Sequence, residues 1–108
     1  MKLNEYQDLA TVTAVYGAGI KIIYPLMGML GECGEVANKY QKVMRDKEGV
    51  LSGDDKKSII KELGDILWFF SALATDLGVS LEDIAKLNIE KLNDRKKRNV
   101  ISGSGDDR

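Results

Sequence analysis

The sequence contains no histidine, and this absence limits the metals that the protein can bind. Among its 108 residues there is one cysteine, Cys33, and one proline, Pro25. Zinc sites depend on histidine and cysteine ligands, and a disulfide needs two cysteines, so neither is expected within the chain. Sixteen basic residues against seventeen acidic ones leave a formal net charge of −1. No positive field therefore points to a nucleic acid or an anionic membrane as a partner.

Long apolar runs are missing as well. The first residues turn polar too soon for a signal peptide, and no apolar stretch is long enough to span a bilayer. We therefore expect a cytoplasmic protein with no membrane partner. The length has room for one domain, residues 1–108, with an irregular tail at residues 100–108 that contains two glycines and two serines.

Strand-like alternation is also absent, and the apolar spacing is that of helices, which predicts an all-α fold. Gly78 ends the third helix, and Ser80 with Asp83 three residues later forms a capping box for the fourth. A loose segment with Gly17, Gly19 and Pro25 separates the first two helices. The four helices are expected at about residues 4–16, 26–46, 54–77 and 81–98.

The second and third helices each carry apolar side chains along one face. On the second helix these are Leu26, Leu30, Cys33, Val36, Ala37, Tyr40 and Met44. On the third helix they are Ile59, Leu63, Ile66, Phe70, Leu73 and Leu77. Residues 66–74 are apolar almost all round, and so short a chain has too few helices to cover them. We therefore expect a homo-oligomer.

Two pairs of acidic residues flank these apolar faces: Glu32 and Glu35 on the second helix, Glu62 and Asp65 on the third. The i, i+3 spacing projects both carboxylates of a pair from one side of the helix. If the two helices pack antiparallel through their apolar faces, the four carboxylates converge and repel one another unless a cation neutralises them. Oxygen ligands without histidine favour Mg²⁺, with Mn²⁺ as a substitute, and Mg²⁺ commonly shares its ligand shell with substrate phosphates.

Acidic pairs at this spacing are also common on solvated helix faces, so that alternative stays open. Gly28, Gly31 and Gly34 count against it, because a glycine within a helix costs about 1 kcal/mol relative to alanine. Such glycines make sense if something bulky approaches the helix backbone beside Glu32 and Glu35.

The fourth helix carries a polar row, Asn88, Lys91 and Arg95, in line with apolar Ile84. Lysine and arginine at such positions suit phosphate oxygens, and Asn88 can orient a base, a sugar or a metal-bound water. The alternative is that their stems pack while their polar heads reach solvent.

Taken in order, these motifs resemble the MazG-like nucleotide pyrophosphohydrolases, which belong to the all-α NTP pyrophosphatase superfamily. The likeness covers nearly the whole chain. It includes Glu-x-x-Glu at residues 32–35 and Glu-Leu-Gly-Asp at residues 62–65, and it ends in Gly-Ser-Gly-Asp-Asp-Arg at residues 103–108. Cys33 stands where alanine is usual, and Asn99 stands where glycine is common.

The resemblance implies that Glu32, Glu35, Glu62 and Asp65 hold Mg²⁺ and that Lys91 and Arg95 meet a triphosphate. It also implies a four-helix bundle completed by a partner subunit, as a homodimer or a dimer of dimers. The expected reaction converts an NTP or dNTP to its monophosphate and pyrophosphate in nucleotide-pool housekeeping, with Glu35 taking the proton of the attacking water. Release of pyrophosphate is implied by the family alone.

Two alternatives belong to other classes. The first is a non-catalytic helical oligomeric interaction module whose acidic face binds an ion or a partner. The second is a di-iron carboxylate bundle, which usually recruits Glu-x-x-His and is disfavoured because the chain has no histidine.

Overall fold

The computed structural model describes all 108 residues, and they form four α-helices and no strand. The all-α prediction is therefore confirmed. A short 3-10 turn, Ala18–Ile20, lies between the first two helices. In chain order the helices are α1 at Leu3–Thr11, α2 at Ile23–Lys47, α3 at Gly53–Asp76 and α4 at Leu81–Lys97.

Serine side chains start the last two helices. The Ser52 hydroxyl accepts from the backbone N–H of Asp55, whose carboxylate accepts from the backbone N–H of Ser52 in return, so α3 begins with a full capping box. At α4 the Ser80 hydroxyl accepts from the backbone N–H of Asp83, which is one half of the box that the sequence predicts. Gly78 adopts a φ of +74°, a left-handed conformation that glycine adopts without strain, and it turns the chain between α3 and α4.

The first helix ends at Thr11, and the prediction that it continues to residue 16 is wrong. The sequence from Thr11 to Thr13 is β-branched throughout, and such residues lose side-chain freedom in a helix. The hydroxyl of Thr11 also donates to the carbonyl of Gln7, and that of Thr13 to the carbonyl of Ala10, so carbonyls at the helix end gain partners.

The α1 and α2 helices pack against α3, whereas α4 packs mainly against α1. The α2 and α3 helices form an antiparallel hairpin, while α1 lies against α3 and also contacts α4. Gln7 of α1 joins these elements, because its amide nitrogen donates to the Val79 carbonyl and its amide oxygen accepts from the backbone N–H of Leu81. No single helix is long and apolar enough to be a candidate membrane span, although α3 and α4 taken together across their 97° bend meet the length and composition.

The contact between α2 and α3 does not run through the apolar face predicted for α2. It runs through Gly28, Glu32, Lys39 and the buried Val43. Most of the predicted face is open to solvent instead, and we call its large exposed members the α2 apolar stripe: Leu26, Leu30, Tyr40 and Met44, with exposed fractions from 36% to 63%. The helices therefore meet through a partly polar seam, and the carboxylates lie within it rather than at the edge of an apolar one.

The interior of a single chain is small. Eight of 108 residues are buried, and the radius of gyration is 17.0 Å. A compact domain of this length has a radius of about 13 Å. The chain therefore forms an open arrangement of helices with apolar surface left exposed.

Candidate active site

Three acidic side chains converge where α2 faces α3. One carboxylate oxygen from each of Glu32, Glu62 and Asp65 lies within 4.8 Å of the others, and we call these residues the acidic cluster. Magnesium binds oxygen at about 2.1 Å, so ligands on opposite sides of the ion are about 4.2 Å apart. Neighbouring ligands in its octahedral shell are closer, at about 3 Å, so the three carboxylates can share one such cation once their side chains close in around it.

The carboxylates of the acidic cluster lie close enough to shift one another's pKa values. A hydrogen bond with Glu62 raises the pKa of Glu32, and burial and the charges of Asp65, Glu62 and Glu35 raise it further. The Lys39 ammonium and the shared hydrogen bond lower the pKa of Glu62. The raised pKa of Glu32 records the mutual repulsion of these carboxylates, and the charge of Lys39 offsets part of it, which is the role a hard divalent cation fills among oxygen ligands.

Glu35, the fourth acidic residue of the two motifs, lies outside the acidic cluster. It is exposed on α2, one turn beyond Glu32, and its charge contributes to the raised pKa of Glu32. The structure thus brings three of the four predicted carboxylates together and leaves the fourth beside them in solvent.

Two members of the polar row of α4, Lys91 and Arg95, contact the C-terminal tail, and none of the row forms a salt bridge with the acidic cluster. Lys91 and Arg95 each lie 3.5 Å from the Asp106 carboxylate, and together they lower its pKa. Arg95 is only 6% exposed, and its guanidinium donates to the backbone carbonyls of Asp106 and Gly105 at 2.7 and 3.4 Å. Asn88 is exposed and lines an apolar groove between α3 and α4.

Arginine side chains fold the tail back onto the end of α4. The Arg108 guanidinium donates to the carbonyls of Val100, Ile101 and Gly105, and Arg98 donates to the carbonyl of Arg108. Asn99 precedes the tail with a φ of +57°, a left-handed conformation that asparagine tolerates better than most residues and glycine adopts freely. The exchange of glycine for asparagine at this position therefore preserves the turn.

Two residues near the acidic cluster were missed by sequence reasoning. Lys39 places its ammonium 3.2 Å from a Glu62 carboxylate oxygen and 2.6 Å from the Ser58 hydroxyl. Its position seven residues after Glu32, two helical turns along one face, was a signal that could have identified it. Tyr6 of α1 is the other, because burial and the charge of Asp65 raise its pKa.

An aromatic cavity of about 170 Å³ lies one turn further along α3 from Asp65. Trp68 and Tyr16 contribute to its wall, together with alanines from α1 and α3. The indole N–H of Trp68 donates to the Thr13 hydroxyl at 2.7 Å, and the Tyr16 hydroxyl donates to Asp76 at 2.8 Å. Both aromatic rings are therefore fixed by hydrogen bonds beside open space.

The three glycines of α2 do not share one role. A Cβ atom on Gly28 would lie 2.2 Å from the ring of Phe69, so this glycine admits the bulky neighbour that the sequence predicts. That neighbour is a side chain of α3. Gly31 and Gly34 have no such contact within 4 Å, so packing within the chain does not explain them.

Comparisons with known proteins give the family that the acidic motifs resemble. Residues 25–100 match the family model described as the MazG nucleotide pyrophosphohydrolase domain. Over the full length of both chains, the sequence is 43% identical to the Gene 37 protein of Mycobacterium phage L5. It is also 33% identical to the uncharacterized protein YvdC of Bacillus subtilis (strain 168), over 74% of this chain and 76% of that protein. No solved structure was found to match.

Proposed function

Since this chain belongs to the MazG nucleotide pyrophosphohydrolase family, as its two acidic motifs predict, we propose that it hydrolyses a nucleoside triphosphate, NTP or dNTP, to the monophosphate and pyrophosphate. The observation that carries the proposal is the convergence of Glu32, Glu62 and Asp65 within 4.8 Å. In a cell this activity would serve nucleotide-pool housekeeping.

The residues of the two acidic motifs have different roles in this proposal. Glu32, Glu62 and Asp65 hold Mg²⁺, or Mn²⁺ as a substitute, and Glu35 completes the set after a side-chain rotation. A cation held by these residues would supply neutralisation of phosphate charge and would lower the pKa of a water. Because Glu35 is exposed and outside the acidic cluster, its carboxylate is the one least used as a ligand and would take the proton of the attacking water.

The polar row of α4 receives the triphosphate in this proposal. Lys91 supplies a mobile point charge, Arg95 a planar fork, and Asn88 an amide for the base, the sugar or a metal-bound water. The Nε atom of Arg95 is buried without a hydrogen-bond partner, which favours a further acceptor at that position. The Asp106 carboxylate, held 3.5 Å from Lys91 and Arg95, is the group that a phosphate would replace.

A partner subunit completes the bundle in this proposal, as a homodimer or a dimer of dimers of one-domain chains, residues 1–108. The exposed α2 apolar stripe and the radius of gyration of 17.0 Å support it, because a single chain leaves this apolar surface in water. The partner subunit would also contribute its own α4, and therefore a second polar row, to the assembly.

The test is a panel of NTPs and dNTPs incubated with the protein and Mg²⁺, with pyrophosphate as the measured product. Glu35→Gln, Glu62→Gln and Asp65→Asn should each abolish release of pyrophosphate, since each removes a proposed ligand or base. Glu48→Gln is the matched control, because Glu48 lies outside both motifs and forms no salt bridge. Near-normal turnover by the Glu35 and Glu62 variants would contradict the assigned roles.

The alternative, a non-catalytic interaction module, is favoured by one observation, the exposed α2 apolar stripe. It predicts that no nucleotide of the panel is hydrolysed, while self-association and divalent-cation binding persist. The same assay therefore separates the two functions.

A further inference from the structure

A cleft between α2 and α3 has no role in the function proposed above. It has a volume of about 200 Å³ and lies between the C-terminal half of α2 and the N-terminal half of α3. Three lysines, Lys39, Lys42 and Lys47, line it together with the Ser58 hydroxyl, and we call it the lysine cleft. Its apolar lining is limited to Val43 and Ile59.

The lysine cleft is continuous with the acidic cluster through Lys39. This side chain lines the cleft, donates to Ser58 and forms a salt bridge with Glu62 at 3.2 Å. On α3, Ser58 and Glu62 are one turn apart, so their side chains lie one above the other on the same face. A ligand that contacts a cation at the acidic cluster can therefore extend directly into the lysine cleft.

The charges that line the cleft are not balanced. Two carboxylates also line the cleft against its three lysines: Asp55 is engaged by Lys47 at 2.8 Å, and Asp46 is engaged by Arg45, which lies outside the cleft, at 2.8 Å. Lys42 forms no hydrogen bond or salt bridge through its side chain. The ammonium of Lys39 depends on Glu62, which is one of the residues expected to bind the cation.

A cation at the acidic cluster would thus compete with Lys39 for Glu62. The Lys39 ammonium would then retain only its neutral partner, Ser58, and would join Lys42, whose nearby carboxylate Asp46 also interacts with Arg45 and Lys47, as a positive charge that is only partly offset. Two such charges on flexible stems suit a compact polyanion, since lysine binds phosphate as a point charge without a fixed geometry.

We propose that the lysine cleft binds the pyrophosphate portion of the substrate and the pyrophosphate product, with Lys39 and Lys42 as its ligands, and that the polar row of α4 contacts the remaining phosphate next to the nucleoside. This inference rests on the proposed function and adds the orientation of the substrate along α3. Along α3 the order is Ser58, the acidic cluster and then Trp68 of the aromatic cavity. The anionic end of the substrate therefore lies toward Ser58, and the nucleoside end toward the aromatic cavity.

The experiment measures binding of inorganic pyrophosphate by calorimetry, in the presence of Mg²⁺, to the full chain and to single variants. Lys39→Met should weaken pyrophosphate binding about tenfold or more, and Lys42→Met about fivefold, as expected for losing a charge-assisted contact. Lys57→Met, an exposed lysine of α3 outside the cleft, controls for the change in net charge and should stay within about twofold of the unmodified protein. Orthophosphate should bind more weakly to all four proteins.

A second readout is the affinity for Mg²⁺ alone. Lys39→Met should bind Mg²⁺ more tightly than the unmodified protein, because the competing ammonium at Glu62 is gone, while Lys42→Met should not. Lys42 makes no hydrogen bond or salt bridge, so its variant tests the cleft even if Lys39→Met is poorly folded.

Unchanged pyrophosphate affinity in both cleft variants would overturn the inference, even if the protein hydrolyses nucleotides. Conversely, loss of pyrophosphate binding in these variants would support the lysine cleft even if no nucleotide of the panel is cleaved, so the two proposals fail separately.

Discussion

The close contact between Gly28 and Phe69 gives a quantitative prediction. A methyl group added at Gly28 would lie 2.2 Å from one ring carbon of Phe69 and 2.5 Å from two others. The ring cannot move freely, because Trp68 packs edge-on against it at 5.1 Å and Tyr24 lies 6.2 Å away. Inserting a methyl group into such packing costs about 1–3 kcal/mol.

Gly34→Ala is the matched control, since Gly34 lies on the same helix and has open space at the corresponding position. Both substitutions gain about 1 kcal/mol from the better helix propensity of alanine, so their difference isolates the steric effect. Thermal unfolding followed by circular dichroism should place Gly28→Ala below Gly34→Ala by about 4–8 °C for each kcal/mol of that difference. Equal melting temperatures for the two variants would refute the α2–α3 packing described here.

Three further predictions test the site and the assembly. Mg²⁺ at about a hundred times its Kd should stabilise the protein by about 2.7 kcal/mol in thermal unfolding, and Glu62→Gln should lose most of that gain; equal stabilisation of the variant would argue against Glu62 as a ligand. Burial and the hydrogen bond to Asp76 raise the pKa of Tyr16 to about 12, above its ordinary 10, so their stabilising effect is complete below pH 10 and is lost as pH rises through 12. The free energy of unfolding in urea should therefore change less between about pH 10 and 12 for Tyr16→Phe than for the unmodified protein. Sedimentation should show at least a dimer at micromolar concentration, and Leu30→Glu, on the 63%-exposed position of the α2 apolar stripe, should shift it toward monomer; a dimer indifferent to this change would place the interface elsewhere.

Local signals in the sequence were sufficient for the number of helices, for the bounds of the last three and for the residues of the acidic cluster, but not for the end of α1. Periodicity, Gly78 and the pair Ser80 and Asp83 act within one or two helical turns, so a single sequence contains them. The i, i+3 spacing likewise determines that Glu62 and Asp65 share a side of α3.

The relative rotation of α2 and α3 could not be read in the same way. Apolar periodicity identifies a face that avoids water, but it does not distinguish a face covered within the chain from one covered by another chain. The α2 apolar stripe was assigned to the helix contact, whereas Gly28 admits Phe69 and turns a partly polar row toward α3. The contact of Lys39 with Glu62 depends on that rotation, and the contact of Arg95 with Asp106 depends on the path of the tail. Spacing along one helix therefore does not specify either partner.

Trp68 is the single tryptophan of the chain, which makes it a natural optical reporter. Its indole is fixed by Thr13, lies at the wall of the aromatic cavity and follows Asp65 by one helical turn. Fluorescence excited at the red edge of aromatic absorption therefore comes from one known position beside the acidic cluster. Emission intensity and wavelength can then follow, without any added label, whether an aromatic ring enters that cavity during a titration.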